Sequence, residues 1–187
     1  MLLRWLIHGE SGAQIVEFAV VLPLLAVLIV GITDFGQAFA IKQKMTIAVR
    51  AAARFGSSQP TNDLTQAAPQ SVSAIRDLVD ADLLAGGMND CGLTSGLLQQ
   101  NGTLPQWTVS ATCPNSGTLT LTIDRGDTAT KVALPGVQGN TFLIATHVTL
   151  SYPYQWHFGR VIQLLVPNAS YAGILQIRTD ALAPNQD

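Results

Sequence analysis

The hydrophobic pattern of this chain changes character several times. From Ala13 to Ile32 the sequence reads AQIVEFAVVLPLLAVLIVGI, about twenty residues with Glu17 as the sole charge. A helix rises ~1.5 Å per residue, so this run matches the ~30 Å hydrocarbon core of a bilayer. The alternative is a core helix of a large globular domain, but the remaining chain is too small to wrap such a helix on all sides. The run is therefore read as membrane-inserted, at least transiently. Beyond it the pattern turns amphipathic. Phe35, Ala38, Ile41, Met45, Ala48, Val49 and Ala52 fall at helical spacing, with Gln37, Gln43, Lys44, Arg50 and Arg54 on the other side. One helix is expected from about Ala13 to Phe55, leaving the membrane near Asp34 and lying on a soluble domain with its second half. Pro23 removes one backbone hydrogen bond and is expected to kink the membrane half.

The polar stretch 56–70, GSSQPTNDLTQAAPQ, reads as a linker. Ser71 then reads as the cap of a short amphipathic helix, with Val72, Ile75, Val79 and Leu83 on one face and Gly86-Gly87 at its end. Strand patterns follow. Trp107, Val109, Ala111 and Cys113 alternate with polar residues, as do Leu119, Leu121 and Ile123, and Pro114 to Gly117 supplies a hairpin turn between the two runs. A third strand is expected over Phe142–Tyr152, after a long loop from Arg125 to Asn140. The apolar runs Val161–Val166 and Ile174–Arg178 fit helix or strand equally. The fold class is thus α+β, a long N-terminal helix packed on a small antiparallel sheet. The organisation is a leader (1–12), the long helix (13–55), the linker (56–70) and an α+β domain (71–187).

Composition narrows the function. The chain has 187 residues, of which 48% are hydrophobic and 12% charged, with a formal charge of −2. Disorder is excluded by the hydrophobicity, and general nucleic-acid binding by the lack of a basic footprint. No catalytic motif of specific spacing is present: no HExxH, GxSxG, P-loop, GxGxxG or CxxC. No enzyme activity, small-molecule substrate, cofactor or metal is therefore expected, and His8, His147 and His157 with the two cysteines fit no zinc-finger spacing. Arg125-Gly126-Asp127 reads as an ordinary loop tip, and the Asn-x-Ser/Thr triplets at Asn101 and Asn168 are what chance supplies. Cys91 follows a helix and Cys113 continues the inward face of a strand, so the two can approach and bridge. Two free buried thiols are the alternative. A bridge would place the domain in an oxidising compartment.

The most specific signal is Gly12-Ala13-Gln14-Ile15-Val16-Glu17-Phe18, a glycine, four residues and then Glu-Phe at the mouth of an apolar helix. It resembles the processing site of the type IVb prepilins of the tight-adherence (Flp) pilus. The wider run SGAQIVEFAVVLPLLAVLIVGITDFGQAF…AVRAAARFG is similar to the TadE-like family of minor pseudopilins from that system, with a weaker likeness in HVTLSYPY…VIQLLVP. The resemblance implies a pilin-like fold and residues 1–12 as a prepilin leader, cut between Gly12 and Ala13 by a prepilin peptidase. It also implies partners among other pilin and pseudopilin subunits and inner-membrane lipid, with Glu17 and Phe18 serving assembly. A lone carboxylate within an apolar helix requires a partner, which in a filament would be the new Ala13 amine of a neighbouring subunit. Two such charges ~4 Å apart attract by roughly 4 kcal/mol at an effective dielectric of ~20, before desolvation.

The resemblance and the expected bridge together imply a cytoplasmic N-terminus and a periplasmic domain. Charge bias points the other way, since Lys42, Lys44 and Arg50 follow the apolar run and only Arg4 precedes it. Two further readings compete. One is an uncleaved single-pass anchor of a periplasmic binding module. The other is an exported soluble protein cut at Ala38-Phe39-Ala40, against which the helical pattern runs straight through the site.

Overall fold

The computed structural model describes residues 10–102, 105–114, 117–127, 144–156 and 174–186. Helix α1 (Glu10–Ser57) is followed by α2 (Gln70–Ala85), a short 3-10 turn (Leu93–Ser95) and five strands. The strands are β1 (Gln99–Gln100), β2 (Gln106–Thr112), β3 (Thr118–Asp127), β4 (Ala145–Gln155) and β5 (Ile174–Pro184). They form one antiparallel sheet in the order β1-β2-β3-β4-β5. The chain divides into two compact units, 1–37 with 156–173, and 38–155 with 174–187.

In the second unit the architecture is the expected α+β one, with the end of the long helix packed on the sheet. Along α1, Met45, Ala48, Val49, Ala52 and Ala53 are buried, while Lys42, Gln43, Lys44, Arg50 and Arg54 face solvent. Three alanines on that face bring the helix backbone close to its neighbours. At Gly56 the approach is closest, for an added Cβ would sit 2.7 Å from Thr146 Cγ2 and 2.8 Å from Ile75 Cδ1. The Thr46 and Thr179 hydroxyls, 3.2 Å apart, join α1 to β5.

The sheet buries one face by strict alternation. Val109, Leu121 and Leu150 stand in one rung, and Trp107, Ile123 and Val148 in the next; all six are fully buried. On the opposite face Thr108, Thr122 and Thr149 are aligned in the same register, as β-branched hydroxyl residues suit a wetted pleated surface. Trp107 also satisfies its indole N–H, donating to the carbonyl of Ala67 at 3.1 Å. That bond ties the 56–70 stretch to the core.

Helix α2 buries Val72, Ile75, Val79 and Leu83, the face expected from the sequence. Its end follows a Schellman pattern. Gly87 takes a positive φ of 69°, Met88 N–H donates to Leu83 O and Gly87 N–H to Leu84 O, both at 2.9 Å. Its start corrects the expected cap. Pro69 occupies the N-cap position and has no side-chain acceptor, while Ser71 lies buried inside the first turn. The acceptor comes from the preceding stretch: Asp63 takes the Ser71 N–H at 2.8 Å and the Ser71 hydroxyl at 2.9 Å. A carboxylate there also opposes the positive helix end.

Three further expectations change. The Arg125-Gly126-Asp127 triplet is not a loop tip but the end of β3, next to a register shift between Asp124 and Asp127. Arg125 is buried and its Nη2 donates to the carbonyl of Gln59 at 2.8 Å, which sequence alternation alone would have placed inward. Ile174–Arg178 is the start of an eleven-residue strand paired along its whole length with β4. The third expected strand runs over Ala145–Gln155 rather than stopping at Tyr152. Val161–Val166, Phe142 and most of the 125–140 loop lie outside the described residues.

Cys91 and Cys113 form the disulfide, with Cα atoms 4.6 Å apart. It fastens the segment after α2 to the end of β2 and closes a loop with a sequence separation of 22. Replacing both cysteines by serine is expected to lower unfolding free energy by about 3 kcal/mol, by the loop-entropy account. Urea denaturation of oxidised wild type and the double variant measures it; equal midpoints would show that the bridge adds no stability.

Near this bridge the Asp80 carboxyl titrates above its usual value of 3.8, first because of burial, then because of the charge and hydrogen bond of Asp90 and the charge of Asp77. Arg76 opposes the shift. The folded state thus holds this proton more tightly than the unfolded chain. Its contribution is fully present below about pH 3.8 and is lost as the pH rises through the raised value. Asp80→Asn is expected to melt above wild type near pH 7, with the difference vanishing in acid; thermal melts across pH 3–7 check both signs.

Candidate functional site

The first unit contains the residues that the sequence marks for processing and assembly. Helix α1 already runs at Glu10, so the Gly12–Ala13 peptide bond lies inside its first turn. A peptidase that takes its substrate as an extended strand would have to unwind this turn. Glycine lowers that cost, being about 1 kcal/mol less favourable than alanine in a helix. Nothing stands within 4 Å of a Cβ built on Gly12, so its surroundings leave room for a larger side chain. Any intolerance of substitution there would come from an enzyme, not from this fold.

Glu17 lies one turn beyond Ala13, on the same side of the helix by spacing. Its side chain is exposed, as are those of Ile15, Val16, Phe18, Val20 and Val21 around it. Phe18 is 65% exposed and Leu24 70%. Pro23 sits inside the helix, where it supplies no backbone donor. Apolar side chains therefore point outward on every side from Ile15 to Leu22, and from Pro23 to Ile32 on all but one stripe, where Val27 and Val30 are half-buried. A helix apolar all round is stable only in lipid or among other apolar helices. α1 is long and apolar enough to be a candidate single membrane span, with none of its apolar window buried in this chain. Met1 to Gly9 of the leader lie outside the described residues, as do His8, His157 and Asn168.

Two features near the end of the apolar run were not weighed from the sequence alone. Asp34 is only 2% exposed, although it stands where the helix was expected to emerge. Phe35 meets Trp156 edge to face, with ring centroids 5.1 Å apart. Aromatic rings gather at membrane–water boundaries, so Trp156, 121 positions later in the chain, was the available signal.

The described residues bring together no acid–base or nucleophilic constellation. They include no group of three or more His, Cys, Asp or Glu able to hold a metal ion, and both cysteines are used in the bridge. His147 Nε2 stands 3.3 Å from Asp180 Oδ2 on the wetted sheet face, a surface contact. The sequence-marked residues thus form a linear site along one helix rather than a pocket.

No curated protein and no solved structure matches the chain. The family model of TadE-like proteins matches residues 12–54, beginning at the glycine of the candidate cleavage site and ending with the amphipathic half of α1.

Proposed function

We propose that this protein is a minor pseudopilin of a tight-adherence pilus, cut after Gly12 by a prepilin peptidase and then used in pilus assembly. The observation that carries the reading is the coincidence of the TadE-like match at 12–54 with a helix that exposes most of its apolar residues between Ile15 and Ile32. Such a surface needs either lipid or neighbouring helices, and a pilus subunit meets both in turn. The role is structural rather than catalytic. In this reading the N-terminus is cytoplasmic, the sheet domain is periplasmic, and the Cys91–Cys113 bridge is formed by an oxidising compartment.

Glu17 has a defined part in it. Removal of the leader turns the Ala13 nitrogen into an ammonium, and a carboxylate in an apolar bundle is stabilised by pairing with such a group on a neighbouring subunit. The pair acts mainly on register, because desolvation offsets much of the attraction.

The competing readings differ in one measurable residue. Sequencing the N-terminus of the membrane-associated protein is expected to return Ala13. Met1 would indicate an uncleaved anchor, and Ile41 an exported soluble protein. The continuity of α1 from Glu10 to Ser57 speaks against the last, since that cut would divide the helix.

Gly12→Leu is expected to leave a full-length precursor in the membrane. Electrophoresis of cells with and without a prepilin peptidase checks it, and equal sizes of the wild-type protein in both would refute processing. Glu17→Gln is expected to separate processing from assembly. The variant should insert and be cut like wild type, while co-purification with pilin subunits falls severalfold because the neighbouring amine is left unpaired. Undiminished co-purification of the cut variant would remove the pairing role.

A further inference from the structure

Among the described residues the sheet has one long open edge, flanked by positive charge that has no partner among them. β5 is the terminal strand, eleven residues long, and among the described residues it pairs only with β4. The phase of its ladder is fixed at the end, where Asn185 N–H donates to Ile144 O at 2.9 Å. Antiparallel pairs alternate between hydrogen-bonded and non-bonded. Ala183, Ala181 and Thr179 therefore bond to Thr146, Val148 and Leu150, their partners in the register. The backbone groups of Leu182, Asp180 and Arg178 point away from β4 toward the open side. Gln186 has the same phase, and its N–H reaches outward to Ser57 O at 3.1 Å. The strand end is thus tied to α1, and the residues before it have no backbone partner on that side among those described.

A cleft of about 780 Å³ runs along this edge, lined on one side by Arg50, Arg54 and Ser57 and on the other by Leu182, Pro184 and Gln186. Arg50 and Arg54 are exposed, one helical turn apart, and neither guanidinium has an ion-pair or hydrogen-bond partner among the described residues. Asp180 also borders the cleft, but its carboxylate faces His147. Open edges are usually blunted, because they recruit further strands. Here Pro184 closes only the last position.

We infer that β5 and the arginine pair form a docking site for an extended acidic segment of a partner protein, added to the sheet as a sixth strand. Backbone hydrogen bonds to Arg178, Asp180 and Leu182 would hold the strand, and carboxylates on alternate residues would meet Arg50 and Arg54. A second copy of this chain does not fit. Its twelve acidic residues lie in α1, in α2, at the α2 cap, beside the disulfide, within paired β3, on β5 itself or at the last residue. None belongs to a free extended segment among the described residues. The inference does not rest on the pilus reading.

The test uses the full chain in zwitterionic detergent and a fluorescent octapeptide alternating valine and glutamate, with a valine–lysine peptide as the control. Saturable binding of the glutamate peptide alone, weakened by salt, is expected. Arg50→Glu with Arg54→Glu should reduce affinity by about tenfold or more, as charge reversal against a charged partner does. Leu182→Pro should abolish binding while leaving the β4 ladder intact, because the Leu182 N–H points outward. Unchanged melting of the variants, and amide exchange slowed at Asp180 and Leu182 in wild type with peptide, complete the expected result. Failure of the glutamate peptide to bind, equal binding of the lysine peptide, or undiminished binding to Leu182→Pro would overturn the inference. So would self-association in sedimentation that Leu182→Pro removes, which would make the occupant a second copy.

Discussion

The constraint on which the rest depends is that one helix must satisfy two solvents. Between Ile15 and Ile32 α1 exposes apolar side chains over most of its circumference, whereas from Met45 to Ala53 it buries a single stripe and keeps its charges outside. Neither half would be stable in the other's surroundings. An all-apolar surface in water is a liability, and a stripe with Lys42, Lys44, Arg50 and Arg54 opposite it does not enter hydrocarbon. The pattern fixes which residues are available for packing on the sheet. It also fixes where the carboxylate of Glu17 becomes costly, which is why the proposed assembly role falls on that residue although it is exposed in a single chain.

The sheet domain uses the second half of this helix as one wall of its core. The alanines at 48, 52 and 53 add little transfer free energy individually, but they let larger residues elsewhere close the gap. Met45 and Val49 are fully buried, and side chains of that size contribute roughly 1.5–3 kcal/mol each when removed from water. The opposite wall comes from the alternating positions of β2, β3 and β4. The stretch 56–70 looks like a linker by composition, yet it is held at three points: Gln59 O by Arg125, Asp63 by Ser71 and Ala67 O by Trp107. Two backbone carbonyls and one carboxylate there serve as acceptors for groups that would otherwise be left unsatisfied.

What the sequence disclosed, and what it hid, follows the same division between periodicity and remote partners. The face of α2, the β2–β3 pairing and the second half of α1 were legible, since each is written in a period of 3.6 or 2, and the first half was legible from the length of its unbroken apolar run. The Cys91–Cys113 bridge was legible only as an opportunity. Ser71 was misleading because capping statistics assume a local acceptor, whereas Asp63 lies eight residues away. Arg125 was missed because a charged residue at a strand end reads as a turn; burial was visible only in the alternation of Leu121 and Ile123 continuing to 125. β5 was undecided because its pattern is mixed: an edge strand is buried on few positions and needs no strong alternation. For the site, Gly12, Glu17 and Phe18 stood out by spacing, while Trp156 could not be linked to Phe35 from order along the chain.

A linear site and an open edge have different physical consequences, and this decides how the two surfaces can be used. The apolar half of α1 offers no directional bonds beyond Glu17, so its associations are set by packing and by exclusion from water, and many neighbours can satisfy it. The β5 edge offers a fixed ladder of donors and acceptors and two charges a helical turn apart, which admit only a strand of suitable register and sign. Breadth belongs to the first surface and selectivity to the second. The arginines that border the edge also lie on the charged side of α1, so the residues that keep this half of the helix out of hydrocarbon are the ones free to choose a partner.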